Sequence, residues 1–273
     1  MKIIDFDEKF YEFTRDWMAK HPEITVKQVE NSYNELMNEW VNAPADWLDG
    51  ATPDAYFKRF SQPEELIALL RGYHAENVGL PEPLYARIVE CGKACAPKLL
   101  ELLKDDTLDE ELRAEALGLL GEIGGSGISD ELIGFVTSAE EPNELSDMAA
   151  DALSTSNGAC VKALLKAYPN APDYAQSLIL DIACNFPGDD RIYTYLIKRL
   201  NNRPDERAMH ASLLAKLGDA RAVEPLKKLL GFFDLRYLDY IEIRNAVEVL
   251  GGDPGEERTF YGDPDYEALR SLE

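Results

Sequence analysis

Residues 213–230 read LLAKLGDARAVEPLKKLL, two apolar stretches separated by a break. Leu213, Leu214 and Leu217 close one helix at Gly218-Asp219, because glycine readily takes the conformation that ends a helix. Ala222, Leu226, Leu229 and Leu230 then recur at i, i+4, i+7 and i+8, the stripe of a second helix that buries one face. The stretch is a helix, a turn and a helix. A single pair of this kind cannot cover its own apolar face, so relatives of it should lie on either side.

Sliding the unit along the chain finds them. Gly218 aligns with Gly188 (FPGDDRIYTYLIKRL), Ser156 (STSNGACVKALLKAY), Gly124 (GEIGGSGISDELIGFV) and Cys91 (ECGKACAPKLLELLK), and Gly251 closes a further first helix over 237–250. The anchors at 91, 124, 156, 188, 218 and 251 stand 33, 32, 32, 30 and 33 residues apart. A period in the low thirties suits a helix-turn-helix unit stacked on its neighbours. The core columns keep the same register: Leu99, Leu132, Leu164, Leu196 and Leu226 share one position, and Cys95, Ile128, Cys160, Ile192 and Ala222 another.

The unit at 213–230 resembles the HEAT-like repeat of the phycobilisome-lyase type, with its Leu-Gly-Asp turn and Ala-Val-x-x-Leu-x-x-x-Leu second helix. The other copies are more degenerate. The resemblance implies an all-α protein: a right-handed α-α superhelix, or solenoid, of about five to six HEAT-like helix pairs. It covers residues 81–252, and residues 1–80 read as a helical amino-terminal cap or small helical domain. Within 1–80 the best helices are 6–20, 26–41 and 63–73, with a short one opened by Thr52-Pro53 and a turn-rich link at 42–50. Capping boxes are expected at Ser61-x-x-Glu64 and Thr107-x-x-Glu110. Residues 253–273 form an acidic tail or cap, with a short helix over 264–272.

Composition narrows the function classes. The chain has 51 acidic and 28 basic side chains, a formal net charge of −23. Phosphate recognition draws on clustered Lys and Arg, so this balance argues against nucleic acid, and equally against an anionic membrane surface. No apolar run is long enough to span a bilayer, and the amino terminus lacks the apolar core of a secretory signal. The four cysteines carry no C-x-x-C spacing, which favours a reducing, cytoplasmic setting.

Catalytic and metal-binding constellations are not expected, and neither is a cofactor. The three histidines, His21, His74 and His210, form no H-E-x-x-H and no His-Glu pair, which sets the chain apart from HEAT-type di-iron hydroxylases. Cys91 and Cys95 stand four apart, but Cys95 shares its column with Ile128 and Ala222, so it reads as a small core residue, as do Cys160 and Cys184. The glycines at 121–127 lack the Lys-Ser/Thr of a phosphate loop and read as an inter-helix turn.

One feature is not uniform. First helices are acidic, with 107–118 at −3 and 139–153 at −5, whereas the second helices 159–168, 190–200 and 220–230 each sum to +2. Lys166, Lys198 and Lys228 fall at one repeat position, with Lys162 and Lys227 nearby; Arg191 and Arg221 form another column beside Asp189 and Asp219. The HEAT resemblance implies that second helices line a concave groove, so the lysines would form a basic ridge for a protein or an acidic peptide segment. Lysines near helix ends also offset the helix dipole without any ligand. For Asp189, Arg191, Asp219 and Arg221 the favoured reading is a structural ladder between repeats, as in HEAT proteins. A non-catalytic scaffold or regulator is therefore the leading expectation. A lyase-related enzyme or enzyme subunit, and an acidic convex surface that engages a basic partner, are the alternatives.

Overall fold

The structure, a computed structural model, describes residues 2–23, 27 and 32–270. Among these residues there are sixteen α-helices, with short 3-10 turns and no strand. No helix among them is long and apolar enough to cross a membrane. The chain folds as two compact units, Met1–Ile128 and Ser129–Glu273.

In the first unit, α1 (Phe6–Lys20) starts where the Asp5 carboxylate accepts the Glu8 amide at 2.9 Å. The next described helix, α2 (Tyr33–Asn42), is the later part of the one expected over 26–41; the start of that expectation lies outside the described residues. The short α3 (Pro53–Tyr56) is opened by Thr52, whose hydroxyl accepts the Ala55 amide at 3.1 Å. These elements share an aromatic core: the Phe6 ring lies 5.3 Å from Phe57, 5.4 Å from Trp47 and 6.2 Å from Trp40. Phe6 meets both tryptophans edge to face and Phe57 at a tilt, geometries that favour one arrangement over others of equal area. Beyond them come α4 (Pro63–Ala75), α5 (Glu82–Cys91), α6 (Ala96–Lys104) and α7 (Glu110–Ile123). Helices α3 and α4 both pack on α5, and α4 also packs on α6.

Both expected capping boxes are replaced by something else. Helix α7 is preceded by Asp109, which makes no side-chain cap, and Thr107 donates its amide and hydroxyl to the Asp105 carboxylate at 3.1 and 2.6 Å. An aspartate two residues upstream offers a local turn that competes with the helix for the threonine. Helix α4 begins at Pro63 after an uncapped Gln62, which leaves Ser61 one residue too early. Proline at the first position costs no hydrogen bond there and presets the backbone.

Helix α8 (Ser126–Ser138) follows the glycine turn, where Gly124 and Gly125 have φ of 64° and 117°. The second unit then alternates first helices α9 (Glu144–Ser154), α11 (Asp173–Cys184), α13 (Arg207–Leu217) and α15 (Tyr237–Val249) with second helices α10 (Val161–Ala167), α12 (Asp190–Asn202) and α14 (Val223–Leu230). The first helices pack each on the next, and they bury the small side chains of Ala149, Ala150, Ala175, Ala183, Ala211 and Ala246. Each second helix packs mainly against the first helix that follows it. All ten residues of the two core columns are buried. Gly218 ends α13 in the left-handed conformation (φ 73°), and its amide closes onto Leu214 and Ala215. The tail folds back on α15, placing Phe260 4.9 Å from Tyr240, and ends in α16 (Pro264–Arg270).

Candidate functional site

The five lysines of the sequence pattern all lie on second helices of one unit. Lys162 and Lys166 sit on α10, Lys198 on α12, and Lys227 and Lys228 on α14, and all five are exposed. None of them makes an ion pair or side-chain hydrogen bond among the described residues. Glu224 is the one exposed acid on α14, and Asp190, on α12, is taken up by Arg221. The helix dipole accounts for part of this. Lys166, Lys227 and Lys228 occupy last turns, but α12 runs on to Asn202 and leaves Lys198 outside its own. What defines this face is the exposure and the free charge of its lysines.

The arginines behave differently. Arg221 is held by both oxygens of Asp219 and reaches across to Asp190 of the preceding pair at 2.6 Å. Its guanidinium lies 4.2 Å from the Tyr193 ring centroid, and the Tyr193 hydroxyl donates to the Arg221 carbonyl at 3.2 Å. This is a tie between neighbouring helix pairs. Arg191 makes the equivalent fork with Asp189 at 2.9 and 2.7 Å but, among the described residues, pairs with no acid of a neighbouring helix pair. Hydrogen bonds from the Arg191 side chain and backbone hold the Asp189 carboxyl down at a pKa of about 2. Asp219 is lowered for the same reason by Arg221. Further ties join the first helices: Tyr174 donates to Asp147, and Lys216 reaches Asp181 at 2.8 Å.

Arg199 escaped the charge pattern. It is only 5% exposed. Its Nε donates to His210 at 3.0 Å, Nη1 to Asp173 and Gln176 at 3.1 Å each, and Nη2 to Ser177 at 3.1 Å and Glu206 at 3.0 Å. All five guanidinium donors are used, which is what allows a charge to stay buried. Because His210 Nε2 accepts from Arg199, the ring proton sits on Nδ1, which meets no acceptor at hydrogen-bonding geometry. Burial first, and then the Arg199 charge, lower the His210 pKa, with the Glu206 backbone and carboxylate opposing. Its signal was present in the register: Arg199 occupies the repeat position of Ala167 and Leu229, a position that turns inward.

A cavity of about 380 Å³ opens in the first unit between the end of α4 and α7, lined in part by Tyr73, His74, Asn77, Glu111 and Glu115. His74 Nε2 lies 3.2 Å from Asp109, and Glu115 is partly buried, its pKa raised by burial and then by Glu111, against a lowering from His74. The lining can bind a small cationic or hydrogen-bonding group; it has no Ser, Cys, Thr or Lys to act as a nucleophile. The thiols of Cys95 and Cys184 are buried and pushed up to about 11 and 12 by burial, and burial raises Cys160 too, so all three are held as unreactive core groups. Among the described residues no cluster of three or more His, Cys, Asp or Glu is placed to hold a metal ion.

No family model matches the chain, and no curated protein matches it.

Proposed function

We propose that the chain is an interaction scaffold or regulator of HEAT-like, right-handed solenoid type, and that it docks an acidic segment of a partner protein on the lysines of its second helices. One observation carries this: five exposed lysines on three successive second helices remain without ionic partners in a chain with a net charge of −23. With so many carboxylates available, intramolecular pairing is the easy outcome, and Arg191, Arg199, Arg221 and Lys216 take it. An unneutralised basic face inside an acidic molecule steers acidic partners and repels basic ones. It is too weakly charged for a phosphate backbone, where affinity grows with the number of neutralised phosphates.

Capture from native lysate at low and moderate salt tests this, comparing the wild type with Lys166→Glu/Lys198→Glu/Lys228→Glu, each confirmed folded by circular dichroism. The proposal expects a salt-sensitive partner held by the wild type and lost by the triple variant. Identical partners on both proteins would reject it.

A further inference from the structure

The turn after α14 carries two phenylalanines that the molecule does not bury. Phe233 is 100% exposed, Phe232 is 41% exposed, and Met209 and Leu238, at the starts of α13 and α15, are exposed as well. A fully exposed Phe forgoes about 2 kcal/mol of transfer free energy. Single surface apolar residues are ordinary, whereas several around one turn mark a contact surface.

The turn is also held in place. Phe232 N donates to the Leu229 carbonyl at 2.9 Å. Arg258 donates to the carbonyls of Phe232 at 2.7 Å and Leu235 at 3.3 Å, while its guanidinium stacks 4.2 Å from Phe260. Leu235 is buried, and Arg207 lies 5.2 Å from the Phe232 ring centroid. The tail thus spends an arginine on a turn whose tip points an aromatic ring at solvent. Pre-ordering of this kind lowers the entropy lost when a partner binds.

The surrounding charge selects that partner. Arg207 faces Asp234 at 4.0 Å and Arg236 pairs with Asp239 at 3.2 Å, so these four nearly cancel. Lys227 and Lys228, one turn upstream of Phe232, have no ion-pair partner among the described residues and put free positive charge beside it. We infer that residues 227–233 are the anchor of the lysine face, where Phe232 and Phe233 pack on an apolar side chain of an acidic partner segment while Lys227 and Lys228 pair with its carboxylates. This rests on the lysine-face reading and adds an apolar requirement to it. A bilayer is disfavoured as occupant, because an anionic surface repels the molecule as a whole.

Fluorescence anisotropy of the full chain tests it with a labelled peptide of about 18 residues, glutamate throughout with leucine at every third or fourth position, the spacing of one helical face. Controls replace leucine by serine or glutamate by glutamine. The wild type is expected to bind the Glu/Leu peptide at low salt, with Phe233→Ser weakening binding about tenfold or more, as aromatic anchors do. Both control peptides are expected to lose as much. Phe233 is fully exposed, so the variant should keep the wild-type circular dichroism and melting curve. Equal binding by Phe233→Ser, or by the glutamine peptide, overturns the anchor. No wild-type binding overturns it too, as does Phe233-dependent binding to anionic vesicles or self-association in sedimentation. If the triple lysine variant loses the peptide and Phe233→Ser does not, the lysine face stands and the anchor falls. If neither variant changes binding, both fall.

Discussion

Glu115 shows how one side chain can work against the fold that holds it. Burial and Glu111 raise its pKa above the ordinary 4.5, with His74 opposing. A raised carboxyl binds a proton more readily in the folded state, so its ionisation is a cost of folding at neutral pH. That cost disappears as pH falls through the folded pKa toward 4.5, the unfolded value. Glu115→Gln is therefore expected to raise the urea midpoint at pH 7, with the gain shrinking toward pH 4.5. Urea titrations at the two pH values check this, and a variant less stable at pH 7 would mean that Glu115 makes a stabilising contact. A group strained in this way beside a cavity is also the natural partner for a cationic ligand.

At the scale of the helix, Lys198 and Arg199 make the sharpest contrast. Neighbours on a helix point about 100° apart, so two adjacent positive charges met opposite fates. Lys198 faces solvent, and Arg199 is clamped between α11, α12 and the first turn of α13. Arg199→Ala removes the centre of a buried network and is expected to cost about 3 kcal/mol, the low end for a broken buried pair because Asp173 and Glu206 keep some water. Arg203→Ala, from a 45% exposed side chain sharing the same two acids, should cost less than about 1 kcal/mol. Equal, small losses in chemical denaturation would show that the clip is not buried. The same contrast explains what the sequence could and could not tell. The repeat register placed the core columns and the turns because burial recurs at each copy. It also aligned Lys166, Lys198 and Lys228, which are all exposed. Summed helix charge hid Arg199, because a net charge carries no direction around the helix. Phe233 was invisible for a similar reason: apolar residues are expected inside, and only the folded chain shows one left outside. The caps at Thr107 and Ser61 failed because Asp105 captures Thr107 and Pro63 sets the start of its helix.

For the molecule as a whole, a formal charge of −23 sets stability and binding against each other. Like charges repel in the compact state, and that repulsion is long-ranged at low ionic strength. Exposed ion pairs such as Lys58–Asp54 and Arg191–Asp189 are short-ranged and contribute little each. Salt therefore screens the unfavourable term more than the favourable one. Raising NaCl from about 20 mM to about 300 mM shortens the Debye length from about 20 Å to about 6 Å, and the melting midpoint is expected to rise by a few degrees. Over the same range, capture of an acidic partner by the lysine face should weaken, because there the attraction itself is being screened. Scanning calorimetry and binding in one salt series read both slopes. A midpoint that falls with salt would mean that the Arg199 and Arg221 networks outweigh the repulsion of the rest of the chain, and the acidic excess would then have to be understood as a designed feature of the ion-pair ties rather than as a background against which the free lysines stand out.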